Sequence, residues 1–134
     1  MRKLVALVLL VGAAACGLDT ATGPLVGDIS GTYSLQTMSG NPLPFTLVSH
    51  DTTIVIDSDV LVLTSTGNWN ETVNYRQTVG TAATTTESLP LSGFWTRTGN
   101  QLNFRTAQGL LYVGTASESA LTLSDNAFTY VFTR

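Results

Sequence analysis

Few residues in this chain have types and spacing that could do chemistry. Ser49-His50-Asp51 holds the three residue types of a nucleophilic triad. Neighbours on an extended chain point to opposite faces, so contiguous residues cannot make the required nucleophile–base and base–acid hydrogen bonds. His50 is the only histidine, which excludes a histidine metal cluster. Asp57 and Asp59 offer carboxylates for a cation, but a calcium loop needs more ligands than this pair supplies, and a solvated turn is the plainer reading. Glu71 is the most informative carboxylate. It stands between Trp69 and Val73 on the apolar side of an alternating segment, and a charge placed there needs a partner. Arg97, two residues after Trp95, is the expected partner in a Glu71–Arg97 ion pair inside the fold or at its rim, structural rather than ligand-polarising. No catalytic residues, metal site or cofactor are expected, and the chain does not read as an enzyme.

Cys16 is the one thiol, so no disulfide is available. It follows an apolar run from Leu4 to Ala15 that opens with Met1-Arg2-Lys3. Such a run fits a signal h-region and is too short to span a bilayer. Ala13-Ala14-Ala15-Cys16 resembles the lipobox of bacterial lipoproteins. The resemblance implies removal of residues 1–15, a diacylglycerol on the Cys16 thiol, usually an acylated new N-terminus, and stable membrane attachment by several chains. The alternative is an ordinary secretory cut after Ala13-x-Ala15, leaving Cys16 a free thiol. Gly17, rather than Asp, follows the cysteine. In a host with two membranes this favours the outer one, facing the periplasm.

The remaining 119 residues amount to one domain. They keep four arginines against nine acids and no lysine, a formal charge of −5. An acidic, lysine-free surface excludes nucleic acid as a partner, because phosphate binding needs a basic footprint. Residues 16–28, rich in glycine, read as a lipidated start and flexible tether.

Residues 29–134 must supply the elements that position any site. Short alternating segments separated by turn signals predict strands throughout and no helix. The first runs from about Ile29 to Met38, and a second includes Phe45 and Leu47. Thr52–Ile56 and Val60–Thr64 flank Asp57-Ser58-Asp59, read as a tight connection. From Trp69 to Arg76 the odd residues are expected to face inward. Residues 77–88 read as a long loop leading into a Thr-rich edge strand. Leu89–Arg97, Leu102 with Phe104, Leu110–Ala116, Ala120–Leu123 and Phe128–Phe132 complete the set. An open meander would leave two edges prone to aggregation, and closing about eight strands removes them. The expected inward residues are Tyr33, Leu35, Leu61, Leu63, Trp69, Val73, Tyr75, Trp95, Leu102, Phe104, Phe128 and Tyr130.

Gly31-Thr32-Tyr33 resembles the G-x-W signature that opens lipocalins, with Tyr33 in place of Trp, and Gly93-Phe94-Trp95 echoes it. With the closing strand Phe128–Phe132 and the terminal Arg134, residues 29–134 look like the short lipocalin-like domains of bacterial envelope lipoproteins. The resemblance implies an all-β fold, an up-and-down antiparallel meander closing into a small lipocalin-like barrel of about 8–10 strands. It also implies that Arg134 packs over Tyr33 as a cation–π contact unless the terminus frays. Two functions are compatible with such a barrel. In the first, a small apolar or amphipathic ligand sits in a pocket drawn from Tyr33, Trp69, Glu71, Tyr75, Trp95, Arg97, Phe104 and Tyr130. In the second, the barrel is solid and its loops or Thr-rich edge meet another envelope protein, as a structural or inhibitory module.

Overall fold

Apolar and polar residues alternate with period two, and in the computed structural model, which describes residues 26–134, they form strands without any helix. Ten strands follow in chain order: β1 (Gly31–Met38), β2 (Asn41–Pro42), β3 (Phe45–Ser49), β4 (Thr52–Leu63), β5 (Asn68–Val79), β6 (Thr85–Thr98), β7 (Gln101–Thr106), β8 (Gly109–Ala116), β9 (Ala120–Ser124) and β10 (Thr129–Thr133). Each strand from β4 to β10 pairs antiparallel with the next, β10 returns to β1, and β1 pairs with β4 from Gly31↔Leu63 to Ser34↔Val60. Eight strands thus close an up-and-down barrel, with β2 and β3 added outside the ring. Two interior glycines let the wall bend sharply. A Cβ on Gly93 would lie 1.8 Å from the Arg105 carbonyl oxygen, and one on Gly114 would lie 2.1 Å from that of Thr122.

The barrel has a closed end and an open end. At the closed end Tyr33, Leu61, Leu63, Trp69, Leu102, Phe104, Leu121, Leu123 and Phe132 are buried, covered by Ile29 of the leader. An edge-on aromatic series runs from there along the interior: Trp69–Phe104 at 5.9 Å, Phe104–Tyr112 at 6.2 Å and Tyr112–Tyr130 at 5.4 Å between centroids. It continues through Phe128 to Phe45 on β3. Each such contact adds about 0.5–1.5 kcal/mol beyond area burial. The rings' polar tips end on backbone carbonyls: Tyr33 Oη donates to Ile29 O at 2.8 Å, Trp69 Nε1 to Phe94 O at 3.1 Å, and Trp95 Nε1 to Thr64 O at 3.2 Å.

At the open end β4, β5 and β6 run on past the ring. Thr52–Ile56 pairs with β3 on one side and with Tyr75–Val79 on the other, and β6 joins through Val73↔Leu89 and Gln77↔Thr85. The result is a four-stranded extension, β3-β4-β5-β6. Its inner face continues the barrel interior.

Two expectations are corrected here. Asp57-Ser58-Asp59 is no connection between strands: β4 is continuous, and the register slips by one residue between Ile56 and Ser58. This bulge turns Asp57 and Ser58 outward together, where Arg76 Nη2 meets Asp57 Oδ1 at 2.6 Å and Asn74 Nδ2 donates to Ser58 Oγ at 3.0 Å. Asp59 then faces inward. Nor are residues 77–88 a long loop: β5 reaches Val79 and β6 begins at Thr85. The expected Thr-rich edge does exist, because β6 meets β7 only from Phe94↔Arg105 onward.

Candidate functional site

The bulge in β4 decides what stands at the barrel's mouth. A regular strand would put Asp57 and Asp59 on one face, whereas the extra residue separates them and aims Asp59 at the interior. Antiparallel register places Asp59 opposite Val73 and Leu61 opposite Glu71, so the two carboxyls are diagonal neighbours on facing strands. Asp59 is 4 % exposed and Glu71 1 %. Tyr112, reaching in from β8, donates its hydroxyl to Glu71 Oε2 at 3.1 Å and lies 3.3 Å from Oε1.

No cation offsets this pair among the described residues. Of the four arginines there, Arg76 is engaged with Asp57 on the outer wall, Arg105 is exposed, and Arg97 and Arg134 serve the closed end. Burial therefore pushes the Asp59 carboxyl up to about 9, helped by the charge of Glu71 and by the hydrogen bond Asp59 makes to it. Burial also raises Glu71, opposed by its hydrogen bonds from Asp59 and Tyr112. Asp59 thus keeps its proton at neutral pH and donates it to Glu71. The other Asp59 oxygen, Oδ1, is buried without a partner. Burial and the neighbouring Glu71 charge raise Tyr112 as well, and it stays neutral. Tyr130 is raised by burial and by its 2.7 Å hydrogen bond to Asp125.

Beyond the pair, toward the extension, Ile54, Ile56, Val73, Tyr75, Gln77 and Leu89 line an open groove of about 250 Å³. Its surface is almost wholly apolar, and Leu89 is 45 % exposed. Phe45 and Leu47 share this face by register with Ile56 and Ile54. A larger depression of about 400 Å³ lies elsewhere, on the outer wall around Asn68, Asn70, Ser92 and Phe94. It has no buried ionisable group, and the chemistry is at the mouth.

The structure sorts the eight candidate pocket residues into four places. Tyr33, Trp69 and Phe104 are packed into the filled interior, with Trp95 and Tyr130 against them. Tyr75 lines the groove, and Glu71 sits in the carboxyl pair. Arg97 is elsewhere, so the expected Glu71–Arg97 ion pair does not form. Glu71 faces Leu91 across β5 and β6, and Arg97 is six residues farther along β6, roughly 20 Å at strand rise. There it donates to the carbonyls of Val26, Gly27 (2.6 Å) and Gly99 (2.5 Å). Cys16 lies outside the described residues.

Asp59 and Tyr112 are the site residues that the sequence reading missed. The signal for Asp59 was present: a strand with apolar residues on both sides of Asp-Ser-Asp fits a bulge as well as a turn. Tyr112 sits in the uneven run Leu110–Ala116, where alternation is too weak to fix the phase. Comparison of the chain with family models, curated proteins and solved structures finds no match.

Proposed function

We propose that this protein is a lipid-anchored cell-envelope lipoprotein whose barrel binds a small apolar or amphipathic molecule at its open end. The observation that carries the binding reading is the groove. The inner face of the extension keeps Ile54, Ile56, Val73, Tyr75 and Leu89 together and only partly covered, next to an interior that aromatic rings already fill. Apolar lining with few polar groups is the usual make-up of a small-ligand site. The ligand lies on the extension rather than deep along the barrel axis.

The anchor rests on the signal-like start and Cys16. Val26–Ser30 crosses the closed end, ten residues after Cys16, a reach of at most roughly 35 Å. In this reading the tether joins the barrel at its closed end, away from the groove.

A second reading, a protein-interaction module, draws on different surfaces. The β6 edge from Thr85 to Ser92 has a strand on one side only, and Phe94 on the outer wall is 65 % exposed. Pro90 interrupts that edge and blunts it against indiscriminate pairing.

Native mass spectrometry of protein isolated gently from envelopes separates the two. Ligand binding predicts an excess mass that is lost on denaturation and absent from Leu89→Arg. A bare-chain mass together with a co-isolated protein, lost in Phe94→Ser, overturns it in favour of the interaction module.

A further inference from the structure

The groove ends beside a buried acid with an oxygen that nothing satisfies. Asp59 Oδ1 has no hydrogen-bond partner, and Asp59 is 4 % exposed. A buried acceptor left empty is costly and calls for an account. Across the strand pair, Asp59 faces Val73, a groove residue, and the other flank on β4 is Ile56, also a groove residue. Asp59, the residue that carries the unsatisfied oxygen, therefore adjoins the inner end of the apolar surface by register, with Glu71 on the diagonal.

The groups packed around the pair bear on which charge it would accept. On β5 there is Glu71, on β8 Tyr112, and on β10 Tyr130, itself tied to Asp125. From β6 and β7 come Leu91 and Phe104. Among the described residues, every ionisable group facing the site is an acid or a phenol. An incoming anion would meet only repulsion, and a neutral apolar end would leave Oδ1 empty. An ammonium group carries donors for Oδ1 and for Glu71 and brings the positive charge that the site lacks.

We infer that the ligand is an amphipathic amine. Its apolar body lies on Ile54, Ile56, Val73, Tyr75 and Leu89, and its ammonium enters between Ile56 and Val73 to bond Asp59 Oδ1 beside Glu71. This inference rests on the groove being the binding site. As the ammonium enters, the Asp59 proton passes to solvent, so binding exchanges one proton for one cation and leaves the buried net charge unchanged.

Titration calorimetry with octylammonium, octanol and octanoate tests the proposal, because the three probes share one apolar body and differ in head group. Octylammonium is expected to bind about tenfold more tightly than octanol, the difference between a charge-assisted and a neutral hydrogen bond. Octanoate is expected to be the weakest. Octylammonium affinity should rise between about pH 6 and about pH 9, with close to one proton released, read from buffers of different ionisation enthalpy. Asp59→Asn should abolish the amine preference and the proton release while keeping octanol binding. Glu71→Gln should reduce the preference and serves as the second variant if Asp59→Asn does not fold. Equal binding of octylammonium and octanol, or proton release that persists in Asp59→Asn, overturns the amine inference and leaves the groove intact. Failure of all three probes to bind overturns the groove reading itself.

Discussion

The two ends of this barrel handle polar groups in opposite ways. At the closed end cations are spent on backbone. Arg97 gathers the carbonyls of Val26, Gly27 and Gly99, and Arg134 those of Asp28, Ser30 and Glu118 while its guanidinium lies 5.6 Å from the Tyr33 ring centroid. Val26 N–H returns a hydrogen bond to Asn100 Oδ1 at 3.0 Å. At the open end two carboxyls are buried without a cation, one oxygen is unsatisfied, and apolar side chains stay partly in water. The first arrangement holds the fold and the second leaves unfavourable contacts in place. Polar groups are satisfied at one end and left strained at the other, so substitutions at the two ends should behave differently.

The largest effect is expected from Trp69→Ala. Trp69 is 1 % exposed, stacks edge-on with Phe104, and ties β6 and β7 through Phe94 O and Arg105 O. Its truncation should cost about 3–5 kcal/mol in urea unfolding. A loss of under about 1 kcal/mol would mean that the closed end is not the stabilising one.

The carboxyl pair gives the next effect, with a sign opposite to ordinary acid denaturation. Asp59 binds its proton more tightly folded than unfolded, with a value raised from 3.8 to about 9. Its stabilising contribution is complete below its unfolded value and is lost as pH rises toward the folded one. Asp28, Asp57 and Asp125 are lowered by their hydrogen bonds, in Asp125 against a burial effect, so they contribute above 3.8 and lose it below. Stability should therefore peak near about pH 4–5 and fall as pH rises toward about 9, by at most about 1.4 kcal/mol per pH unit. Asp59→Asn should flatten that fall and be the more stable protein at alkaline pH. Denaturation midpoints across pH for both proteins measure it, and a flat wild-type profile would show that the pair carries no proton strain.

Arg97→Met comes third. It leaves carbonyls of the leader without their donor and should cost about 1.5–3 kcal/mol. Amide exchange at Val26–Ser30 should quicken while the groove strands keep their protection. If exchange quickens equally at Val73 and Tyr75, the two ends are not independent.

These contrasts also explain what could be read from the residues alone. The strands follow from alternation, because a period of two fixes faces wherever it is unbroken, whereas Arg134 over Tyr33 was legible only through what the lipocalin resemblance implies. In β5, where it is clean, both Trp69 and Glu71 were placed inward. It fails at β4, where one inserted residue reverses the phase and hides Asp59 in what looks like a turn. Arg97 has the expected inward phase but the wrong height: alternation assigns a face and says nothing about which level of a barrel a residue occupies. Level depends on strand register, so the acid's true neighbours, Asp59 and Tyr112, became visible only with the sheet closed.

The smallest expected effect on stability separates the ends most sharply. Tyr75→Ser and Leu89→Ser lie on the groove face, where Leu89 is 45 % exposed. Little burial is lost at Leu89, so Leu89→Ser should unfold within about 0.5 kcal/mol of wild type, whereas Tyr75 is half-buried and Tyr75→Ser should cost about 1–2 kcal/mol. The same substitutions remove apolar area from the surface proposed to hold the ligand, so octanol binding should weaken several-fold while Trp69 fluorescence, reporting the closed end, stays unchanged. Should either variant instead unfold like Trp69→Ala, the extension is part of the core, and its apolar face exists to hold β3 to β6 together rather than to receive a ligand.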